Sequence, residues 1–230
     1  MLSFIVLTVV FLVDGSSSLH CRRVEVGEHF PSDHPPEQYN WDYTISTRIY
    51  FHNNTAHYLF SPTDTQGYRC SDSYNMLWGA TRCGYKTGNH EDSDRFVWRR
   101  ALSCLIFDSS GHVIGEKPDC PDANLIEIAA YAYDGGRKPF QHMGTLLKHF
   151  SKKLHVERWY LLKIRFHETE TIYELFESDE HHHHHHHHVL ESHTIHHRSC
   201  HDFHHGNMQS FYFGGVCPAP QEVSVCYKEL

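Results

Sequence analysis

The residues with the most chemical potential are histidines concentrated in one stretch. Eight consecutive imidazoles occupy positions 181–188, and fourteen of the chain's 25 histidines lie in the 25 residues 181–205. Each imidazole nitrogen needs a hydrogen-bond partner or a metal ion, so such a run cannot enter an apolar core. The sequence therefore predicts a solvated or metal-loaded segment. The predicted metal ligands are His181, His182, His183, His184, His185, His186, His187, His188, His193, His196, His197, His201, His204 and His205.

Imidazole is a favoured ligand of Zn²⁺, Cu²⁺ and Ni²⁺. Histidines three or four residues apart, such as His193 and His197, would share one side of a helical turn. Cys200 and Asp202 would add a thiolate and a carboxylate if Cys200 were unpaired. Because many of these histidines are nearly equivalent, the pattern favours several interchangeable sites that hold zinc or copper loosely.

Two other interpretations of the run stay open at this point. Homopolymeric stretches arise by repeat expansion and persist where a surface loop tolerates insertion, in which case the histidines have no specific role. Alternatively, protonated imidazoles would be attracted to the acidic residues at 177, 179 and 180 and released when neutral, which would make the segment a pH sensor.

The rest of the sequence does not indicate an enzyme. It contains no H-E-x-x-H, no G-x-S-x-G and no P-loop motif, so we expect a non-enzymatic protein. A formal net charge of −8 with neutral histidines argues against nucleic acid and anionic membranes as partners. Below about pH 6 the histidines would charge and the balance would reverse.

The chain begins like a secreted protein. Residues 1–13 are apolar and too short to span a membrane, and small residues follow at 15–18, which predicts a signal peptide over 1–18. No later stretch is apolar enough for a membrane span. We expect a β-rich extracellular domain over 19–180, a disordered, low-complexity histidine-rich loop over 181–205, and C-terminal strands of the same domain over 206–230.

An even number of cysteines behind a signal peptide predicts disulfides. Eight cysteines allow 105 pairings, among which the sequence alone does not decide. Proximity along the chain suggests 70 with 83, 104 with 120 and 217 with 226, which leaves 21 with 200. The cysteines concerned are Cys21, Cys70, Cys83, Cys104, Cys120, Cys200, Cys217 and Cys226.

Asn53 opens an Asn-Asn-Thr sequon at a predicted hairpin tip. A loop tip in a secreted protein is a position where a glycan is tolerated, so we predict N-glycosylation at Asn53.

Short stretches with the alternation typical of β-strands recur along the chain. The alternation is clearest over 41–51, which we expect to form a hairpin with 56–61. One segment, 141–154, carries apolar residues at three- and four-residue steps and predicts a helix. Further strands are predicted over 74–78, 96–107, 112–116, 125–133, 159–166, 171–176, 210–213 and 222–227.

These elements predict a mainly β, disulfide-stabilised antiparallel sandwich or small barrel with one packed helix. A leader, disulfides, successive hairpins and one late helix are similar to the architecture of secreted lipocalins. The Gly-x-Trp motif of that family is absent here, because Tyr39 and Asn40 precede Trp41. The resemblance implies an alternative function, namely a carrier of a small apolar ligand in which the histidine run is incidental.

Overall fold

The protein is mainly β. The computed structural model describes residues 20–31, 38–40, 43–59, 70, 73–84, 90–136, 146–178, 188–209, 211–215 and 217–229. Within these ranges it contains fifteen strands and two single-turn 3-10 helices. No helix in this part of the chain is long and apolar enough to cross a membrane. The predicted signal peptide over 1–18 lies outside the described residues.

The strands form two large antiparallel sheets and one small hairpin. The first sheet has the order β1 (His20–Val24), β15 (Val223–Glu229), β3 (Thr44–Phe51), β11 (Trp159–Phe166), β12 (Glu170–Glu177) and β13 (Val189–His196). The second has the order β10 (Leu154–His155), β8 (Leu125–Tyr133), β5 (Ser93–Arg100), β4 (Asn75–Thr81), β14 (His205–Gln209) and β2 (Gln38–Asn40), and β9 (Leu147–His149) also pairs with β8. The hairpin joins β6 (Leu105–Phe107) to β7 (Val113–Glu116).

The alternation predicted for β3 is confirmed. Every second residue, namely Ile45, Thr47, Ile49 and Phe51, is buried and those in between are partly exposed, because successive side chains of a strand point to opposite faces. The two large sheets share one apolar core. Ring contacts join them, for example Phe51 with Trp98 at a centroid distance of 5.5 Å. Each fully buried side chain of this size contributes about 2–3 kcal/mol through removal from water.

The two sheets form a sandwich, and the barrel considered from the sequence is wrong. Among the described strands no ladder closes either sheet on itself, and β13 lies at an edge of the first sheet. The second arm of the predicted hairpin after β3 is also wrong over 56–59. The chain there makes a 3-10 turn at Asn53–Thr55, and Tyr58 then enters the core, where its hydroxyl oxygen accepts a hydrogen bond from Asn75 Nδ2 at 2.9 Å.

The predicted helix over 141–154 is wrong in its described part, 146–154. Leu147–His149 forms β9 on β8, and the chain turns at Ser151 before β10. The apolar residues of this segment are buried, as predicted, but they lie on or next to short strands that pair with β8 and not on a helix. The three- and four-residue spacing of these apolar residues also fits two short strands separated by a turn. Pairing with β8 therefore overrides the weak helix propensity of the segment.

All eight cysteines are paired, as predicted, but only one suggested pairing is confirmed. Cys104 is bonded to Cys120, whereas Cys21 is bonded to Cys226, Cys70 to Cys217 and Cys83 to Cys200. The other three suggested pairings are wrong, because the partners are brought together by sheet order and are separated by 117 to 205 residues in sequence. Four disulfides indicate an oxidising compartment.

Gly79 in β4 lies so close to β5 that a side chain does not fit. A Cβ added there would overlap the carbonyl oxygen of Asp94 and lie 2.6 Å from the Cα of Arg95.

We therefore expect Gly79→Ala to lower the free energy of unfolding by about 3 kcal/mol, because the β4–β5 ladder must shift. Urea unfolding of the oxidised protein measures the change. The control is Gly115→Ala in β7, where the nearest atom is Ile106 Cδ1 at 3.9 Å and a change below about 0.5 kcal/mol is expected. Equal losses in the two variants would contradict the close approach.

Candidate functional site

The histidine run connects two neighbouring strands. β12 and β13 pair in antiparallel fashion up to the pair Phe176 and Val189, and residues 177–188 join them. Predicted ligands 181–187 lie outside the described residues. His188 is described and is exposed. The run is thus attached at both ends to the same hairpin.

The prediction of a loop over 181–205 is wrong for Val189–His196, which forms β13 with a continuous partner strand, and for His205, which begins β14. This changes the ligand geometry. In a strand, residues three apart, such as His193 and His196, point to opposite faces, and residues four apart are separated by about 13 Å. The three-residue spacing that would bring His193 and His196 together on a helical turn therefore separates them here.

His193 is held by a carboxylate rather than presented to solvent. Its Nε2 lies 2.9 Å from Glu191 Oε1, and its ring contacts Phe150 edge-on at 4.6 Å. The same carboxylate accepts hydrogen bonds from the backbone N–H groups of Ser151 and Lys152. Burial alone would raise the pKa of Glu191, but these hydrogen bonds outweigh it and lower the pKa. Glu191 therefore fastens β13 to the turn that follows β9.

His197 is buried, and both of its ring nitrogens are engaged. Nε2 lies 3.1 Å from Thr171 Oγ1, and Nδ1 lies 3.0 Å from the carbonyl oxygen of Arg198. Burial lowers the pKa of His197, because the charged imidazolium loses its hydration. A metal ion could bind either nitrogen only by displacing its partner inside the protein, so this predicted ligand is part of the scaffold.

Three of the remaining histidines pair loosely with acidic residues at the surface. The nitrogen-to-oxygen distances are 3.2 Å for His196 with Glu170, 3.5 Å for His201 with Glu168 and 4.0 Å for His205 with Asp202. His204 makes ring contacts instead, including one with His205 at 4.1 Å. Exposed pairs of this kind contribute less than about 1 kcal/mol each.

The structure does not bring the predicted ligands after 188 together. Within the described ranges, the only group of three or more His, Cys, Asp or Glu residues with ligand atoms within 4.8 Å of one another is Cys21, His52 and Cys226. Cys200, considered as a thiolate ligand, is bonded to Cys83. The metal-binding prediction therefore now depends on the run at 181–188.

A buried ion network that the sequence did not predict holds the C-terminal end of β13. Arg82, which is fully buried, donates to Asp94 Oδ2 at 2.8 Å and to Asp92 Oδ1 at 3.3 Å. A third hydrogen bond runs from Arg82 to the carbonyl oxygen of Tyr133 at 2.6 Å. From the other sheet, the Tyr173 hydroxyl donates to Asp94 Oδ1 at 2.8 Å. The network therefore joins the two sheets at one end of the core.

Arg198 extends this network to the surface. Its side chain is 58% exposed, and its guanidinium group donates to Asp92 Oδ2 at 2.6 Å and lies 3.8 Å from Asp134 Oδ1. Burial would raise the pKa of Asp92, but hydrogen bonds from Arg198 and from the backbone N–H of Gly135, with the charge of Arg82, lower it. The one signal in the sequence was the spacing of Asp92 and Asp94, which places both carboxylates on one face of a strand.

Comparison of the chain with protein-family models, with curated proteins and with solved structures finds no match.

Arg82 is the cation on which the buried carboxylates depend. We expect Arg82→Leu to lower the free energy of unfolding by about 3–5 kcal/mol, because it leaves buried charges without their partner. Chemical unfolding at pH 7.4 measures this. The control is Arg23→Leu, which removes an exposed pair with Glu222 at 3.4 Å and should cost less than about 1 kcal/mol. A loss of that small size in Arg82→Leu would refute the network's structural role.

The buried imidazole of His197 should make the fold sensitive to mild acid. Its folded pKa is lowered, so the unfolded chain binds the proton more readily. The stabilisation is present above the unfolded pKa of about 6.5 and is lost as the pH falls towards the folded pKa, by up to about 1.4 kcal/mol per pH unit. We expect His197→Gln to lose less unfolding free energy between pH 7.5 and 5.0 than the parent protein, whereas exposed His196→Gln should match the parent. Identical slopes in all three proteins would show that His197 titrates normally.

Proposed function

We propose that this is a secreted, non-enzymatic binding protein that takes up divalent transition metal ions, Zn²⁺ or Cu²⁺, through the histidine run at 181–188. The observation that carries the proposal is the place of the run in the fold. It joins β12 to β13, which form seven residue pairs with a register shift just before the last pair, Phe176 with Val189. Both ends of the run are therefore attached to paired strands at an edge of the first sheet.

The scaffold favours repeated capture of the same ion. Paired strands hold the residues that flank the connection about 5 Å apart, and eight consecutive residues of the connection are histidines. An ion released by one imidazole then meets another at a high effective concentration. This supports several interchangeable sites of modest affinity, which is the binding expected of near-equivalent ligands.

Two of the remaining histidines of the region support the scaffold. His193 is engaged by Glu191, and His197 is buried between β12 and Arg198. Arg198 and Cys200 then fix the chain that leaves β13. This division of roles assigns metal uptake to the run and alignment of the strand that follows it to His193 and His197.

Secretion is part of the same proposal. Four disulfides are typical of an oxidising compartment, and the apolar segment at the start of the chain has the length of a signal peptide. The rival prediction, a carrier of a small apolar ligand, depends on a barrel interior. The described sheets do not close into a barrel, so the carrier hypothesis has no barrel interior to rest on.

Titration of the protein with Zn²⁺ and Cu²⁺ by calorimetry tests the proposal. The parent protein should bind saturably at pH 7.4, and replacement of all eight residues 181–188 by Ser should abolish that binding. At pH 5.5 the affinity should fall about tenfold for each coordinating imidazole, because a group with a pKa near 6.5 is then mostly protonated.

The matched control replaces His196, His201 and His205 by Gln, which removes three histidines from the folded part and leaves the run intact. This variant should keep the parent's affinity within about twofold, since an ion held by one or two imidazoles at a time does not need them. Unchanged binding in the serine variant, or drifting stoichiometry without saturation in the parent, would reduce the run to a tolerated insertion.

A further inference from the structure

A second set of metal-ligand atoms lies at the other edge of the first sheet. Cys21, His52 and Cys226 place one ligand atom each within 4.8 Å of one another, and His52 Nε2 lies 3.1 Å from Cys226 Sγ. The two cysteines form a disulfide in this state. A disulfide sulfur is a poor ligand, whereas two thiolates and an imidazole make up the Cys₂His donor set that holds zinc with one open position.

The backbone, and not the disulfide alone, holds these three residues together. Cys21 in β1 lies directly opposite Cys226 in β15, within a ladder of five residue pairs. His52 follows β3, which is the other neighbour of β15, and its backbone N–H donates to the carbonyl oxygen of Ser224 at 3.4 Å. Its ring also contacts Tyr50 edge-on at 5.2 Å. Cleavage of the bond would therefore leave the three side chains adjacent.

We infer that the Cys21–Cys226 disulfide is redox-labile and that its reduced form binds one divalent transition metal ion through Cys21, Cys226 and His52. The disulfide form is then the metal-free state, and the dithiol form is the metal-binding state. This site is independent of the histidine run and does not rest on the function proposed for it.

The two cysteines of the disulfide differ in exposure, and this difference decides which sulfur an external reductant attacks. Cys21 is the one exposed cysteine of the eight, whereas Cys226 is buried. An external dithiol reductant would attack Cys21 Sγ with one thiolate, which forms a mixed disulfide and expels Cys226 as a thiolate. With its Nε2 protonated, His52 donates a hydrogen bond to that leaving sulfur. The second thiol of the reductant then displaces Cys21 and leaves as a cyclic disulfide.

Metal binding completes the step without further redox chemistry. Two thiols release their protons to solvent, and the proton on His52 Nε2 is exchanged through solvent so that the ring keeps its proton on Nδ1 alone. Zn²⁺ then takes two thiolates and the free Nε2, with water in the fourth position. Zn–S bonds of about 2.3 Å and Zn–N bonds of about 2.0–2.1 Å are reached by rotation of the cysteine side chains across one strand spacing. Reoxidation of the sulfurs would release the ion.

The test begins with limiting dithiothreitol, followed by anaerobic desalting and Co²⁺ titration of the full chain. Alkylation and mass spectrometry should mark Cys21 and Cys226 before the other six cysteines. Co²⁺ should then give thiolate-to-cobalt charge-transfer bands and the intense visible bands of tetrahedral coordination. The charge-transfer bands should saturate at one thiolate-bound ion per chain, apart from any ions held by the histidine run, and should disappear on displacement by Zn²⁺. The histidine run contains no thiolate, so it does not produce the charge-transfer bands.

Two imidazole variants test the nitrogen ligand. His52→Gln should weaken Co²⁺ binding at the reduced site at least tenfold, because the nitrogen that binds the metal is lost. The control, His57→Gln, removes an exposed imidazole that contacts Asn124 Oδ1 at 2.8 Å and should bind like the parent. Earlier alkylation of other cysteines, a cobalt spectrum without thiolate bands, or equal affinity in the two variants would overturn the proposal.

A variant that cannot form this disulfide tests the same site without a reduction step. Cys21→Asp leaves the other three disulfides oxidised and offers a carboxylate, the His52 imidazole and the Cys226 thiolate as ligands. It should bind Co²⁺ with one thiolate band and at least tenfold more tightly than its matched control, Cys21→Ala. Equal binding by these two variants would show that positions 21, 52 and 226 do not form a common site.

Discussion

The fold depends on the burial of one guanidinium group among carboxylates. Arg82 follows β4 at the point where β5 begins and β8 ends, and it is surrounded there by Asp92, Asp94 and the carbonyl oxygen of Tyr133. Charges at this depth have no water to solvate them, so each must be satisfied by another member of the network. Tyr173 brings the first sheet into the same network, which makes the alignment of the two sheets a condition for satisfying the buried charges.

Successive side chains of a strand point to opposite faces, so the histidines of β13 have different surroundings and different roles. β13 directs His193 to Glu191 and Phe150, while His196 on the opposite face meets Glu170 near solvent. Imidazole has an apolar edge and two polar nitrogens, so it fits a half-buried position provided that both nitrogens find partners. A histidine-rich sequence can therefore supply both packing residues and potential ligands, and the pairing of the backbone decides which residue becomes which.

Local patterns in the sequence predicted most of the strands but little of their arrangement. The alternation over β3 and the apolar runs of β8 and β11 identified those strands, because burial of one or both faces leaves its mark on neighbouring residues. The histidine run was equally visible, since its composition excludes a core position. By contrast, Leu147 and Phe150 have a spacing that suits a helix or two short strands, and only contact with β8 decides between them. The Arg82 network could not be predicted, because it joins residues that meet only after the sheets have formed.

The link between Cys21 and Cys226 has a topological consequence. It joins positions 205 residues apart in a chain of 230, so nearly the whole polypeptide becomes one covalent loop. A protease that cuts once anywhere between these residues opens the loop without separating the fragments. Tension applied across the two chain ends passes through β1, the sulfur bridge and β15, and most of the sandwich carries no load.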